Sequence, residues 1–356
     1  MDSPRILVYA GKGSSHSWTW LADLFESEGL LDVQFLNSTE FVGEISKGPD
    51  VIIISGGDGF SIASSLAGEG FSSLRNFISH GGRYVGICAG AYLPLPSSVE
   101  PFSEFNVSST KIKNLDCKLG ALENVPPRIA VKYGRCAIVH PVRGELELGL
   151  DAKPLNAPLY GGPIFKEPEE DEVLIRYRAF TSNTEFQIGE REAATIVLGN
   201  PAAVRSRNGK GEFLLLGPHL EHPRYREANE LFLKLLRITP SVRKPMPRVE
   251  VERALERALA DIKVAILGLE NRSFVVGKKL WDGSRYLELQ AAIAKRASSL
   301  DRDLATEMSE NLEQVRQSLM RLNVGIETDA DDTTSLLVES ARRCVDNHFQ
   351  ALRRSR

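Results

Sequence analysis

The sequence predicts an α/β domain, with a mostly parallel sheet flanked by helices, followed by an all-α domain. Three observations carry this. Wholly apolar runs such as 51–54 (VIII) alternate with amphipathic stretches over residues 5–87, as strands of a parallel sheet covered on both faces require. Three prolines, Pro240, Pro245 and Pro247, then interrupt the chain, as stiff linkers do. Beyond them, apolar residues recur at steps of three and four, the helical period.

The elements follow in order. Residues 5–10 (RILVYA), 32–36, 50–55 (DVIIIS) and 83–87 read as four strands. Residues 18–28 and 62–80 carry helical apolar spacing, the second with Leu66, Phe71, Leu74 and Ile78 on one face. From 109 to 149 the runs shorten, and 128–131 and 136–139 read as strands. Further strands are expected at 173–180, 194–198, 203–206 and 212–216. The stretch NGKG, residues 208–211, turns the last two into a hairpin. A helix over 224–237 closes this part. The expected organisation is therefore 1–240 for the α/β domain, 241–250 for the linker and 251–356 for a helical bundle. Four helices are expected there, near 251–269, 284–298, 304–322 and 332–353.

With 356 residues, two domains are the default expectation. Hydrophobic residues make up 42% and charged residues 26%, ordinary for a globular chain. The net charge of −3 supplies no basic field for nucleic acid. No apolar window reaches membrane-spanning length, and the first residues lack the basic start and apolar core of a signal peptide. The four cysteines, Cys88, Cys117, Cys136 and Cys344, lie far apart with no CxxC pair. They suggest neither a zinc framework nor a disulfide scaffold. The expectation is a cytoplasmic protein with reduced thiols, no metal and no cofactor, and no nucleic acid or membrane partner.

Cys88 stands in Gly86-Ile87-Cys88-Ala89-Gly90, between an apolar strand and the start of a helix. A G-x-C-x-G pattern in that context is a nucleophile elbow. The glycines two residues either side keep side chains from colliding around the turn. The Ala89 N–H is aimed at a reacting carbonyl, and the helix start favours thiolate. A buried structural cysteine would gain nothing from these glycines.

A thiol nucleophile needs a base, and the base an orienting group. His219 and Glu221 follow the apolar strand 212–216 in GPHLE. Strand ends at the carboxyl edge of a parallel sheet gather near such an elbow. Gly56 and Gly57, in the loop after strand 50–55, offer backbone N–H groups for an oxyanion.

Together these residues resemble the class I glutamine amidotransferase-like superfamily. GICAG is similar to its cysteine elbow, GPHLE to its His-x-Glu element and ISGGDG to its oxyanion loop. Within it, ILVYAGKGSS, GICAGAYL, YGGPIF and GPHLEHP resemble the N-terminal domain of eukaryotic-type biotin–protein ligases in stand-alone form. The resemblance covers about residues 1–240. It implies a flavodoxin-like sheet, Cys88 as nucleophile, His219 as base and Glu221 as its orienter. Gly57 and Ala89 would be oxyanion donors, and Tyr160, Gly161 and Gly162 would line the same cleft. Tyr92 replaces the glutamine that glutamine-using members carry after the elbow, which leaves the amide substrate open. No biotinyl-adenylate loop follows, so no ligase activity is implied.

Other signals are weaker. GGDG is similar to the phosphate loop of certain kinases, but Phe60 stands where they carry threonine. GKGSSH lacks the third glycine of a dinucleotide loop and reads first as a turn with serine-rich capping, from which His16 could still project into the cleft and contact substrate. Two functions are carried forward. One is an amidotransferase-like or amide-hydrolysing protein acting on a small-molecule amide. The other is a non-catalytic small-molecule-binding or regulatory module. The helical domain reads first as a packed bundle whose stripes hide against each other or against a second copy. Partner docking or self-association is the further expectation, and the domain carries no evident chemistry.

Overall fold

The computed structural model describes residues 4–118, 126–150, 153–238, 251–324 and 330–355. The expected linker at 241–250 lies outside them.

The first half is parallel, as its apolar runs demand. Strands β1 (Ile6–Tyr9), β2 (Val33–Leu36), β3 (Val51–Ile54) and β4 (Arg83–Ile87) alternate with helices α1 (Trp18–Ser27), α2 (Ser38–Ile45), α3 (Gly59–Leu66) and α4 (Glu69–Ser79). Successive side chains of a strand point to opposite faces. Ile6, Val8, Ile53 and Ile87 accordingly enter one apolar cluster, whereas Leu7, Tyr9, Ile52 and Ile54 enter the other. Both faces are covered, so apolar residues dominate these strands, with Gln34 and Arg83 as partly exposed exceptions. The helix expected over 62–80 is two helices, because Gly68 takes a φ of 70° between them. Helix α2 has no counterpart in the expected elements. It starts on a reciprocal cap in which Asn37 accepts from the Glu40 N–H and Glu40 accepts from the Asn37 N–H.

After β4, a short helix α5 (Ala89–Tyr92) follows Cys88. A small sheet then forms from β5 (Leu115–Asp116), β6 (Ala130–Tyr133) and β7 (Cys136–Val139). The chain returns to the main sheet as β8 (Val142–Leu150), β9 (Lys153–Leu159) and β10 (Glu172–Phe186). Helix α6 (Glu190–Val197), β11 (Pro201–Asn208), β12 (Gly211–Leu216) and α7 (Arg226–Leu235) complete it. The nine strands run in the order β2-β1-β3-β4-β12-β11-β10-β8-β9.

The sheet is mixed, which corrects the expectation of a mostly parallel one. The strands from β2 to β12 pair parallel. From β12 to β9 every pairing is antiparallel, and these pairings contain more residues. The reason lies in the connections. Gly209 at φ 58° turns β11 straight into β12, and a tight turn can only join antiparallel neighbours. The strand expected at 194–198 is instead the end of α6. Its β-branched run mimics a strand, but Ala193 and Val197, four residues apart, are the buried pair.

The C-terminal segment forms α8 (Arg253–Ile266), α9 (Ser284–Arg296), α10 (Arg302–Asn323) and α11 (Ala330–Arg354). Their apolar stripes, including Leu255, Leu259, Ile262, Met308, Leu312 and Val315, are buried within the chain. One apolar cluster runs from them into the sheet face holding Ile6 and Val8. Helix α11 also closes the exposed edge of β2. Asp346 accepts from the Phe35 N–H at 3.0 Å and Arg342 donates to the Phe35 carbonyl at 2.9 Å. These side chains occupy the hydrogen-bonding groups that an open edge strand would offer to another chain. Between α8 and α9 lies a hairpin that the helical reading did not anticipate, β13 (Ser273–Val276) and β14 (Lys279–Asp282).

Cys117 and Cys136 form a disulfide, contrary to the expectation of reduced thiols. Strands β5 and β7 pair antiparallel and bring the two residues together, which their spacing along the chain does not reveal. Cys88 and Cys344 are free and buried. Among the described residues no helix is long and apolar enough to cross a membrane.

Candidate active site

Cys88 joins β4 to α5 with φ 52° and ψ −109°. A side chain in this left-handed region costs on the order of 1–3 kcal/mol, so the surroundings must hold it there. They do. The Cys88 N–H donates to the Leu216 carbonyl at 2.8 Å. A Cβ on Gly86 would stand 2.5 Å from the Gly90 carbonyl oxygen, and one on Gly90 would stand 1.9 Å from that of Ile54. Strand, turn and helix therefore pack backbone to backbone, and only glycine fits on either side of the thiol.

His219 reaches the same point from the end of β12. Its N–H donates to the Pro158 carbonyl at 2.9 Å, and Nδ1 lies 2.7 Å from Oε1 of Glu221. The Glu221 side chain is fully buried. The rings of Trp20 and Tyr160 stand 5.4 and 5.7 Å from the imidazole, centre to centre. The Cys88 thiol is the other group whose charge acts on the ring. Burial alone would lower the His219 pKa, but Glu221 and Cys88 outweigh it and raise it to about 9. Burial would likewise raise the thiol. The hydrogen bond and charge of His219, then Lys279 and the Ala89 N–H, bring it below the ordinary value. These opposed shifts favour a thiolate–imidazolium pair.

Gly57 lines the cleft with Cys88. A Cβ there would stand 2.1 Å from the Gly13 carbonyl oxygen, and its N–H has no hydrogen-bond partner among the described residues. Gly56 differs. Its N–H is taken by Ser17 Oγ at 3.1 Å, so its contribution is a flat surface against His219.

With elbow, imidazole and loop in place, the sequence match can be read. Residues 5–106 match the biotin-protein ligase, N-terminal family. That family lies within the class I glutamine amidotransferase-like clan. An uncharacterized protein of Chlamydia muridarum (strain MoPn / Nigg) is 28% identical over 237 residues, 62% of this chain and 82% of its own length. A cytoplasmic protein of Salmonella typhimurium LT2 overlaps with a TM-score of 0.40 at 11% identity, over 66% of this chain and 100% of that one. A thua-like protein from Bacteroides uniformis ATCC 8492 gives 0.39 at 14%, over 67% and 92%. A beta-galactosidase from Bacillus circulans sp. alkalophilus gives 0.36 at 14% identity. It shares 70% of this chain, which spans only 33% of the galactosidase.

The biotin-protein ligase N-terminal match holds Gly57, Cys88, Ala89 and Tyr92, but His219 and Glu221 lie beyond it. So do Tyr160 and Gly161, which line the cleft with Cys88. Tyr92 lines it too, its hydroxyl donating to the Gly161 carbonyl at 3.2 Å and accepting from Asn114. Gly162 sits behind, where a Cβ would stand 2.0 Å from the Gly217 carbonyl oxygen. His16 does project toward the site, as part of an adjoining cavity with His219. It is buried between Trp20 and Trp281, and burial holds it well below its ordinary pKa.

Several cleft residues escaped the sequence reading. His140 directly follows β7, Arg143 lies in β8, and Lys278, Lys279 and Leu280 come from the C-terminal hairpin. The helical segment was expected to carry no chemistry, yet it builds one wall of the cleft. Its only sequence signal was the GKK turn at 277–279, a polar break between two apolar runs. Among the described residues no group of three or more His, Cys, Asp or Glu side chains is placed to hold a metal ion.

Proposed function

We propose that this chain cleaves a small-molecule amide through a thioester on Cys88, as an amide hydrolase or amidotransferase. The observation that carries this reading is the left-handed backbone of Cys88 beside the buried His219–Glu221 pair. We read the parallel half, in the order β2-β1-β3-β4-β12, as flavodoxin-like, with the elbow at its carboxyl edge.

In this mechanism the Cys88 thiolate attacks the amide carbonyl carbon. The N–H groups of Gly57 and Ala89 stabilise the oxyanion, each worth about 2.7–4 kcal/mol of barrier when well aimed. The tetrahedral intermediate collapses as the His219 imidazolium protonates the leaving nitrogen. Ammonia or an amine departs, and the C–N bond is exchanged for a thioester. Neutral His219 then takes a proton from water, or from an amine acceptor, as that nucleophile attacks the thioester. Glu221 holds the ring and stabilises its charged form. The test is incubation with a panel of primary amides, reading ammonia release and the mass of a Cys88 acyl adduct. Both should appear with the wild type and neither with Cys88→Ala. Equal ammonia release by the Cys88→Ala protein would remove the mechanism.

A second reading, a non-catalytic small-molecule-binding module, is favoured by Tyr92. Its bulk and fixed hydroxyl fill the position where glutamine-using relatives carry glutamine. A ligand retained by Cys88→Ala, with no adduct on the wild type, would support that reading instead.

A further inference from the structure

The hairpin β13–β14 lies far along the chain from Cys88, yet it stands where two cavities meet. Lys278, Lys279 and Leu280 line the cleft that holds Cys88. Lys279, Leu280, Trp281, Asp282 and Arg285 line the neighbouring cavity that holds His219. The hairpin is tied down. The Lys278 N–H donates to Oδ2 of Asp58 at 2.8 Å, and the Gly277 N–H donates to Oδ1 of Asp331 at 2.9 Å. Lys278 spends its ammonium over the Phe60 ring, 3.6 Å from the centroid.

The charges in this space do not balance. Arg143 has Asp282 at 3.7 Å, and Arg285 has Glu288 at 2.8 Å. Asp58 is occupied by the Phe60 N–H, the Ser61 hydroxyl and the Lys278 N–H. Lys279 pairs with Val276 in the hairpin and is half-buried, but its ammonium makes no hydrogen bond or ion pair among the described residues. The charge that most favours its ammonium form is the Cys88 thiolate. Acylation consumes that thiolate, and His219 gives its proton to the leaving group. Lys279 then faces a partly desolvated cleft in which Asp58, already engaged by three other groups, is the remaining anion that favours its charge, a costly state.

We propose that Lys279, flanked by Arg143 and Arg285, binds a carboxylate of the substrate, so that the site takes a small amide carrying a negative charge. This rests on the reading of Cys88 as an acylated nucleophile. The cleft, with a volume of about 80 Å³, limits the ligand to a few heavy atoms. The substrate carboxylate replaces the charge that thioester formation removes. The C-terminal segment thereby selects the substrate for chemistry carried out by the N-terminal part.

The test uses the full chain and two alkylating reagents of nearly equal size, anionic iodoacetate and neutral iodoacetamide. With each, the Cys88 sulfur forms a bond to the methylene carbon and iodide leaves. Intact mass gives the two rates, and their ratio is divided by the same ratio for free glutathione. Both reagents meet the same thiolate, so any change in thiolate population cancels. The normalised ratio should favour iodoacetate by about tenfold, as one matched charge in a partly desolvated site allows. The iodoacetate rate should also saturate with concentration. Lys279→Met, or Lys279→Gln where the first fails to fold by circular dichroism, should return the ratio to the glutathione value. Lys279→Arg should keep most of it. A wild-type ratio no higher than that of glutathione, or a ratio unmoved in the folded Lys279 variant, overturns the proposal.

A second arm separates the two readings, using ammonia release from succinamate and from butyramide. Release from succinamate alone, lost in Lys279→Met, supports both. Faster release from butyramide overturns anion recognition and leaves the amide chemistry. No release from either amide, with the alkylation ratio intact, leaves the anion site and counts against the thioester reading.

Discussion

Gly56 and His219 meet face to face. A Cβ on Gly56 would stand 2.9 Å from Cε1 and 3.4 Å from Nε2 of the imidazole. The ring cannot retreat freely, because Trp20 and Tyr160 pack around it. Gly56→Ala should therefore tilt the imidazole away from Cys88. Amide turnover should drop by about 10²-fold, as small misplacements of reacting groups do. Kinetics combined with a thermal melt checks this, and unchanged turnover would show that the ring does not depend on this contact.

Glu221 is fully buried and its Oε1 engages Nδ1 of His219. Glu221→Gln keeps the shape but removes the charge that raises the His219 pKa. Turnover should fall by roughly 10²–10⁴-fold, as when the acidic member of a triad is neutralised. Iodoacetamide labelling of Cys88 at pH 7 should slow as well, because the thiolate loses its imidazolium partner. Labelling at the wild-type rate would sever Glu221 from the chemistry.

The pH dependence follows from the two shifts. The nucleophile must be deprotonated and the acid protonated. Cys88 lies below its ordinary value, and His219 is raised to about 9. Activity should thus be present at pH values where a free thiol is still protonated, and decline as pH rises through about 9. Rates of ammonia release between pH 5 and 10 check this. A rise that follows ordinary thiol ionisation would contradict the pairing.

The C-terminal segment is clamped to α1 by a buried ion pair. Arg296 donates to Asp23 at 2.7 Å and to Glu26 at 2.8 Å, its own side chain fully buried. Arg296→Met leaves the Glu26 carboxylate to Lys295 and His348 and should cost about 1–3 kcal/mol. Burial would raise the Glu26 pKa, but His348, Arg296 and Lys295 hold it far below the ordinary carboxylate range. A depressed carboxyl pKa adds stability above the unfolded value near 4.5. That stability is lost as pH falls through the folded value. Urea unfolding between pH 7 and 3 should show this acid loss in the wild type and less of it in Arg296→Met. A variant as stable as the wild type at pH 7 would mean the pair contributes nothing net.

The disulfide predicts a thiol count. Alkylation of the unfolded, unreduced protein should modify Cys88 and Cys344 and spare Cys117 and Cys136. Mass spectrometry of peptides reads the outcome, and modification at all four sites would restore the reduced-thiol expectation.

Much of this protein is legible in its order of residues. The elbow announces itself because its constraint is local. A thiol at a left-handed turn needs glycine two residues before and after it, and Gly86 and Gly90 are there. The parallel strands are equally plain, since a strand dry on both faces has no polar alternation to hide it. His219 and Glu221 could be paired for a similar reason, as neighbours at a strand end. What stayed hidden depends on contacts between distant segments, which leave no periodic mark. The antiparallel half follows from turns that fold β8 to β12 back on one another. The Cys117–Cys136 bond needs β5 beside β7. Lys279 enters the cleft because Arg296 and α11 hold the C-terminal helices against α1 and β2 and Asp58 holds the hairpin, and no spacing within residues 251–356 points toward Cys88. Burial in three dimensions, not local pattern, turns an ordinary hairpin lysine into an ammonium without an ion-pair partner among the described residues.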